Sequence, residues 1–398
     1  MVLLSEHEGI EGQVFVVTDG LSAVGAALCL ELVERGAREV RALDCRSTSP
    51  LLPSLLKKRV ICDIKQKTET DKVLRGADCV FHLASYGIFG KEMLQARRID
   101  EVNLIGTCNI LDSCVKRGVQ RLVFMSSYNV VFGGQQIVNG DENMGYFPTE
   151  THLDSYGRCK ALAEQLVLKS NGRPLQLKIG CKLHTCAIRP AAVYGPHEEY
   201  HLPRFLNLVH RGIFMYRIGG LEVKTDWVYI DNVVQALLLA SMGLIDDIPG
   251  RQHAPACGQA YFISDGAPVN SFKFIQPLME GLGYQVPSRQ LNVKSAMVFA
   301  WIFWGLYGLM YPWLDKAWLP QPPFLPTEVH KVAGLRFLTP YLIEPSNRRL
   351  KARSFSFSVD PICQGEKLVG IAQNGHAFLL EFGKLIFQCG KVLWREKR

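Results

Sequence analysis

No two of the 12 cysteines stand at C-x-x-C spacing, and most lie inside apolar runs. This speaks against a zinc centre and against a secreted disulfide framework. Scattered single cysteines of this kind read as small core residues kept reduced in the cytosol. No low-complexity tract and no internal repeat is visible, and the first twelve residues carry three Glu and no signal-peptide pattern. Charge of either sign is modest: 21% of residues are charged against 48% hydrophobic, which excludes a disordered chain. The net charge is +8, and the 10 basic and 4 acidic residues from Asn347 to Arg398 account for +6 of it. The remaining body is close to neutral, so no nucleic-acid surface is expected.

The chain has 398 residues, enough for a large core. Its first 190 residues alternate strand and helix patterns. Val14–Val17, Val40–Leu43, Arg59–Cys62, Cys79–Leu83, Arg121–Met125 and Thr185–Ile188 are short, nearly all-apolar runs. Between them, Ala23–Arg35, Thr68–Leu74, Val102–Lys116 and Asp154–Lys169 have helical periodicity, and Gly36 closes the first. Apolar strands alternating with helices predict an α/β fold: a doubly wound parallel (Rossmann) sheet whose ligands sit beyond the carboxyl ends of its strands. We divide the chain into a dinucleotide-binding domain (12–190), a smaller C-terminal substrate lobe (191–346) and a basic tail (347–398). Tyr261–Ser264 is expected to return from the lobe to the main sheet.

Ser295–Leu314 is 20 residues without a charge, 16 of them apolar, rich in Trp and Tyr. At about 1.5 Å per residue such a helix spans about 30 Å, a bilayer's hydrocarbon thickness. Either a membrane-dipping or membrane-spanning segment or a core helix of the lobe satisfies this pattern.

The strongest local constellation is Tyr156-Gly-Arg-Cys-Lys160 at the opening of a helix. A four-residue step puts Tyr156 and Lys160 on one face, where an ammonium would lower the phenol pKa from about 10 and let it exchange a proton near neutral pH. Y-x-x-x-K arises often by chance, but Ser126 and Ser127 end a strand about 30 residues upstream, where a hydroxyl faces the ligand crevice. In the first strand-to-helix turn stands Thr18-Asp-Gly-Leu-Ser-Ala-Val-Gly25, where Gly20 and Gly25 allow close approach to a pyrophosphate. Asp44, at the end of the second strand, suits the ribose hydroxyls of NAD and disfavours NADP. Asp63 follows the third strand, beside the expected adenine position. His82 and Ala84, in His82-Leu-Ala-Ser85, lie along the expected dinucleotide path, although His82 alone reads first as a satisfied core histidine.

The runs Phe81–Gly87, Asn103–Asn109, Ser126–Val130, Tyr156-x-x-x-Lys160, Arg189–Pro196, Asp226–Val233 and Tyr261–Gly266 occur in an order that resembles an extended short-chain dehydrogenase/reductase of the 3β-hydroxysteroid dehydrogenase family, and within it family 42E. The resemblance covers roughly residues 13–332. It implies NAD-dependent oxidation of a secondary alcohol, or the reverse reduction, on a steroid-like or other hydrophobic substrate. Carried over by position, Tyr156 is the general acid/base, Lys160 tunes it and holds the nicotinamide ribose, Ser127 orients the substrate oxygen, and Asn103 steadies the site from a neighbouring helix. The cofactor contacts it implies are those of Gly20, Gly25, Asp44, Asp63, His82, Ala84, Tyr156 and Lys160. With the apolar stretch Ser295–Leu314, this reading expects association with a membrane, at the endoplasmic reticulum with the catalytic domain on the cytoplasmic side, or else a cytoplasmic protein, and it admits a homodimer.

Two departures stand out. The family loop reads T-G-x-x-G-x-x-G, whereas Asp19 and Ser22 occupy its first two glycine positions here, which predicts weakened NAD binding. After Val332 the family's closing region is not recognisable. The rival readings are therefore a catalytically impaired dinucleotide-fold scaffold and, with less support, a sugar-nucleotide epimerase of the same fold.

Overall fold

A computed structural model describes residues 7–46, 58–88, 92–93, 95–134, 137–152, 154–210, 217–218, 223–245 and 254–291, with positions 295, 298 and 302. The basic tail and nearly all of Ser295–Leu314 lie outside these residues.

The main sheet has seven parallel strands: β1 (Val14–Thr18), β2 (Glu39–Asp44), β3 (Lys58–Ile61), β4 (Cys79–His82), β5 (Arg121–Met125), β6 (His184–Pro190) and β10 (Ala260–Ile263). Their spatial order is β10-β6-β5-β4-β1-β2-β3. The order reverses between β1 and β4, and a doubly wound sheet binds its ligand at that switch point. Three short strands of the lobe fall between β6 and β10 in sequence: β7 (Ala192–Tyr194), β8 (Arg217–Ile218) and β9 (Trp227–Tyr229). β7 pairs with β9, and β8 with β11 (Gln290–Leu291). As expected, the run around Tyr261 rejoins the main sheet, with Tyr261 opposite Ile188.

All five residues of β1 are buried, because its alternate side chains enter two cores. Phe15 and Val17 join Leu28, Leu32, Phe81, Val234 and Leu238 on the face covered by α1 (Ala23–Glu34) and α7 (Ile230–Gly243). Val14 and Val16 join Val80, Ile110, Cys114, Leu122 and Val167 on the other. α2 (Lys67–Val73), α4 (Gly106–Arg117) and α5 (Ser155–Lys169) lie in the connections of that half of the fold. The lobe has its own small aromatic core, where Trp227 stacks on Phe274 at 4.3 Å and Tyr194 meets Phe274 edge-on at 5.0 Å.

One helix differs from expectation. The periodicity predicts Val102–Lys116, but the chain is already helical at α3 (Ala96–Asp100), passes through a π-helical segment at Glu101–Ile105 and continues as α4. The extra residue of a π turn breaks the 3.6-residue rhythm, so the apolar pattern before Val102 is out of phase with the pattern after it. The segment carries Asn103.

Candidate active site and dinucleotide loop

The hydroxyl cluster is built from three elements. Asp154, the N-cap of α5 two residues before Tyr156, accepts from the Gly157 amide at 2.6 Å and so starts the helix at Ser155. Ser127 lies just beyond β5, where its hydroxyl accepts from the Asn129 amide and caps a single 3-10 turn, Tyr128–Val130. Ser85 follows β4. The Tyr156 hydroxyl lies near those of Ser127 and Ser85, close enough for both to draw its pKa down. Tyr156 and Ser127 are each 5% exposed. Of the sequence-derived set the structure thus brings Tyr156 and Ser127 together, and it adds Ser85, which has no helical or strand spacing to either and so left no signal.

Lys160 departs from expectation. It does share the face of Tyr156, but its ammonium runs beneath β5, donating to the Met125 carbonyl at 2.8 Å and lying 4.7 Å from the Phe124 ring centroid. With 1% exposure, burial draws its pKa down to about 7, against the pull of Asp19 and Glu164. The phenol is not lowered either. Burial, followed by the Asp154 charge, pushes Tyr156 above its ordinary value, and the nearby Ser85 and Ser127 hydroxyls offset only part of that. In this state Tyr156 is a protonated phenol.

Asn103 spends its whole amide on one residue. Its Oδ1 accepts from the Tyr86 amide and its Nδ2 donates to the Tyr86 carbonyl, both at 2.8 Å. The π segment thereby clamps the loop that carries Ser85. His82 is completely buried between two threonines. The Thr107 hydroxyl donates to the Asn103 carbonyl at 2.7 Å, so it must accept from His82 Nε2, which leaves Nδ1 to accept from Thr18. The Thr18 oxygen in turn accepts the Leu83 and Ala84 amides at 3.0 Å. Burial drives the imidazole pKa down to about 3, so it stays neutral. Both ring nitrogens and the Ala84 amide are engaged within the core, so His82 acts as the satisfied core histidine and ties β1 and β4 to the Asn103 helix.

The glycine loop lies at the β1-to-α1 turn. A Cβ on Gly20 would sit 2.8 Å from Ala42 Cα, and one on Gly25 would sit 2.2 Å from the Asp19 carbonyl oxygen, so both positions exclude any larger residue without movement. Ser22 fits the turn without strain. Its φ is −71°, it is the N-cap of α1, and its hydroxyl accepts from the Gly25 amide at 3.1 Å while donating to the Asp19 carbonyl at 2.8 Å. Serine is a good residue there. Asp19 is the strained one, with φ at +56°.

The Asp44 carboxylate meets the same turn from β2. It accepts the Leu21 amide at 3.2 Å and the Arg46 amide at 2.9 Å, and the Arg46 guanidinium at 3.1 and 3.0 Å. Burial works against its charge, but the Arg46 hydrogen bonds hold it below the ordinary carboxylate range. Arg46 also reaches Asp19 at 3.4 Å and Glu199 at 3.8 Å, which ties the loop to the turn before α6 (Leu202–His210). Sequence spacing gave no reason to single out Arg46. Asp63 stands two residues past β3, caps the Lys65 amide at 3.0 Å, and is 41% exposed at its side chain.

The turn therefore offers a dinucleotide the close-approach glycines, the positive end of the α1 helix dipole and a carboxylate at the end of β2, a set that fits an adenine dinucleotide phosphate backbone. Asp19 is the one element that opposes it.

Residues 16–293 match the model of the 3-beta hydroxysteroid dehydrogenase/isomerase family. Short-chain dehydrogenase/reductase family 42E member 1 of Danio rerio is 41% identical over 325 residues, covering 82% of this chain and 81% of that protein. The human protein of the same name is 39% identical over 357 residues, with 89% and 87% covered. A 3-beta-hydroxysteroid dehydrogenase of Mycolicibacterium neoaurum is 34% identical over 309 residues, with 75% and 79% covered. Among solved structures, UDP-glucose 4-epimerase of Thermus thermophilus in complex with NAD superposes with a TM-score of 0.55 at 21% identity, covering 70% of this chain and 86% of that one. This last likeness is one of fold.

Proposed function

Because the chain belongs to the 3-beta hydroxysteroid dehydrogenase/isomerase family, we propose that it is an NAD-dependent oxidoreductase that interconverts a secondary alcohol and a ketone on a steroid-like or similarly hydrophobic molecule. The observation that carries the reading is the proximity of the buried Tyr156 and Ser127 hydroxyls beyond the carboxyl end of β5, with Lys160 one helical turn along α5 from Tyr156. NAD supplies the hydride acceptor or, reduced, the hydride. It would lie along Gly20, Gly25 and the start of α1, with Asp44 toward the adenosine ribose and Lys160 toward the nicotinamide ribose.

The chain's own groups then handle a proton and an oxygen. In reduction, the Tyr156 hydroxyl gives its proton to the carbonyl oxygen, and the Ser127 hydroxyl donates a hydrogen bond to the same oxygen. In oxidation, the Tyr156 phenolate takes the hydroxyl proton of the alcohol. Burial keeps the phenol protonated in this state. Asn103 acts at one remove, holding the Tyr86 backbone and with it the loop of Ser85.

The hydrophobic class of substrate draws support from the Mycolicibacterium relative and from the apolar stretch Ser295–Leu314. Among the described residues no helix is long and apolar enough to cross a membrane. Two described positions of that stretch, Val298 and Ile302, are helical, four residues apart, and 58% and 53% exposed. Both are exposed apolar side chains, and a shallow membrane contact at the endoplasmic reticulum is part of the proposal.

The test pairs binding with turnover. Fluorescence titration should show NADH binding to the full chain. Turnover should be found among hydroxysteroids and ketosteroids, and Tyr156→Phe should abolish it while leaving NADH affinity within a few-fold. Unchanged turnover in Tyr156→Phe removes the catalytic assignment. Absence of NADH binding under all conditions favours the scaffold reading, which Asp19 keeps in play.

A further inference from the structure

Asp19 has three features that its place in a phosphate-binding turn does not require. Its backbone is in the left-handed region, a conformation that glycine adopts freely and that aspartate and asparagine tolerate better than other side chains. Its carbonyl is engaged twice by Ser22, through the amide at 3.1 Å and the hydroxyl at 2.8 Å, so the turn is locked and the side chain cannot leave by a backbone flip. Its carboxyl, 26% exposed, faces a second carboxylate, Asp44, across a single shared cation, Arg46.

Charges around it come from every element packed on the turn. Asp44 and the Cys45 thiol approach from the end of β2, and Arg46 from just beyond it. The Lys160 ammonium acts from α5, and Tyr200 and Glu199 from the turn before α6. Arg46 gives its short contacts to Asp44, at 3.0 Å and shorter than the 3.4 Å to Asp19. One guanidinium thus serves two carboxylates and a third at 3.8 Å, and Asp19 is the less well served of the inner pair.

We propose that Asp19 makes dinucleotide binding proton-linked: NAD binds with uptake of a proton at the Asp19 carboxyl, and its affinity falls as pH rises above neutrality. The proposal rests on the reading that this loop holds NAD. A pyrophosphate brought to the α1 N-terminus adds negative charge next to a carboxyl that already shares its counter-ion, so the neutral acid is the form that tolerates the ligand. Burial and the Asp44 charge already push Asp19 up to about 7, with Arg46 and Ser22 pulling it down. A diphosphate can only push it further. The sign follows from linkage: the bound state holds its proton to a higher pH than the free state. Affinity is therefore full below the free-state pKa and declines above it, by at most tenfold per pH unit. NAD has no group of its own that titrates between pH 6 and 9. A turn with glycine at this place would lack this contribution.

Calorimetry of NAD binding to the full-length protein tests this directly, at pH 6.0, 7.0, 8.0 and 8.5 and in two buffers of different ionisation enthalpy. We expect dissociation constants at pH 8.5 at least tenfold above those at pH 6.0. The two buffers should report between half a proton and one proton taken up per NAD at pH 8.0. Asp19→Asn keeps the shape and tolerates the left-handed backbone, and its thermal melt reports that it is folded. In Asp19→Asn the proton uptake should vanish and NAD should bind about tenfold tighter at pH 8.5 than in the wild type. Lys160 titrates in the same range, and a slope that persists unchanged in Asp19→Asn belongs to it and overturns the proposal. A dissociation constant independent of pH overturns the proposal while leaving the NAD reading intact. Absence of NAD binding at pH 6.0 in both proteins overturns both.

Discussion

Arg189→Met should be among the most damaging single changes in this protein, although no reacting group is involved. Arg189 on β6 donates to Glu164 on α5 through Nε at 2.9 Å and Nη2 at 2.6 Å, and the two side chains are 4% and 0% exposed. The Tyr146 hydroxyl donates to the same carboxylate at 2.8 Å, and the guanidinium lies 5.0 Å from the Phe262 ring and 5.4 Å from that of Tyr146. Methionine fills much of the volume but leaves Glu164 as a buried charge with one phenol for company. Removing one partner of a fully desolvated pair costs about 3–5 kcal/mol. With a urea m-value of about 3 kcal/mol/M, the unfolding midpoint should fall by roughly 1–1.7 M. The pair variant Glu164→Leu, Arg189→Met should recover most of that loss, because replacing both charges by apolar groups removes the desolvation cost as well as the attraction. Urea titration followed by circular dichroism at a fixed pH reads all three proteins. A loss below about 1 kcal/mol for Arg189→Met, the range of exposed pairs, would refute the burial on which the argument stands.

Gly25→Ala should lower NAD affinity at least tenfold and also lower the melting temperature, since its Cβ would sit 2.2 Å from the Asp19 carbonyl oxygen; calorimetry and a thermal melt check the two parts, and an unaffected dissociation constant would show that the turn relaxes at no cost. Lys160→Met should impair both NAD binding and turnover, unlike Tyr156→Phe, because the ammonium is assigned to both; equal effects of the two variants on affinity would count against the ribose contact. The protein should sediment with membranes and resist a 1 M salt wash, because basic-tail adsorption alone is screened within about 3 Å at that ionic strength. Recovery in the supernatant at low salt would instead favour a core helix for Ser295–Leu314.

Periodicity and spacing along the chain were enough to identify the parallel sheet, most of its strands within one or two residues, the return of the run at Tyr261, and Tyr156 with the pair Ser126 and Ser127 as candidates, the choice of Ser127 coming from the family resemblance. These features are written in near neighbours: an all-apolar strand, a cap such as Asp154, a glycine where a helix meets a turn. What escaped has the opposite character. That Lys160 bonds the Met125 carbonyl rather than standing by the phenol, that Ser22 caps α1 without strain, and that Ser85 joins the hydroxyl cluster all depend on which loops the strand order β5-β4-β1-β2 sets side by side. The same holds for Arg46, whose long side chain finds Asp19, Asp44 and Glu199 on three separate segments. A charged side chain chooses its partners by distance and burial in the folded state, and neither is a property of the residues beside it in sequence. Local order decided which groups the edge of the sheet would carry, and packing decided their protonation and their neighbours.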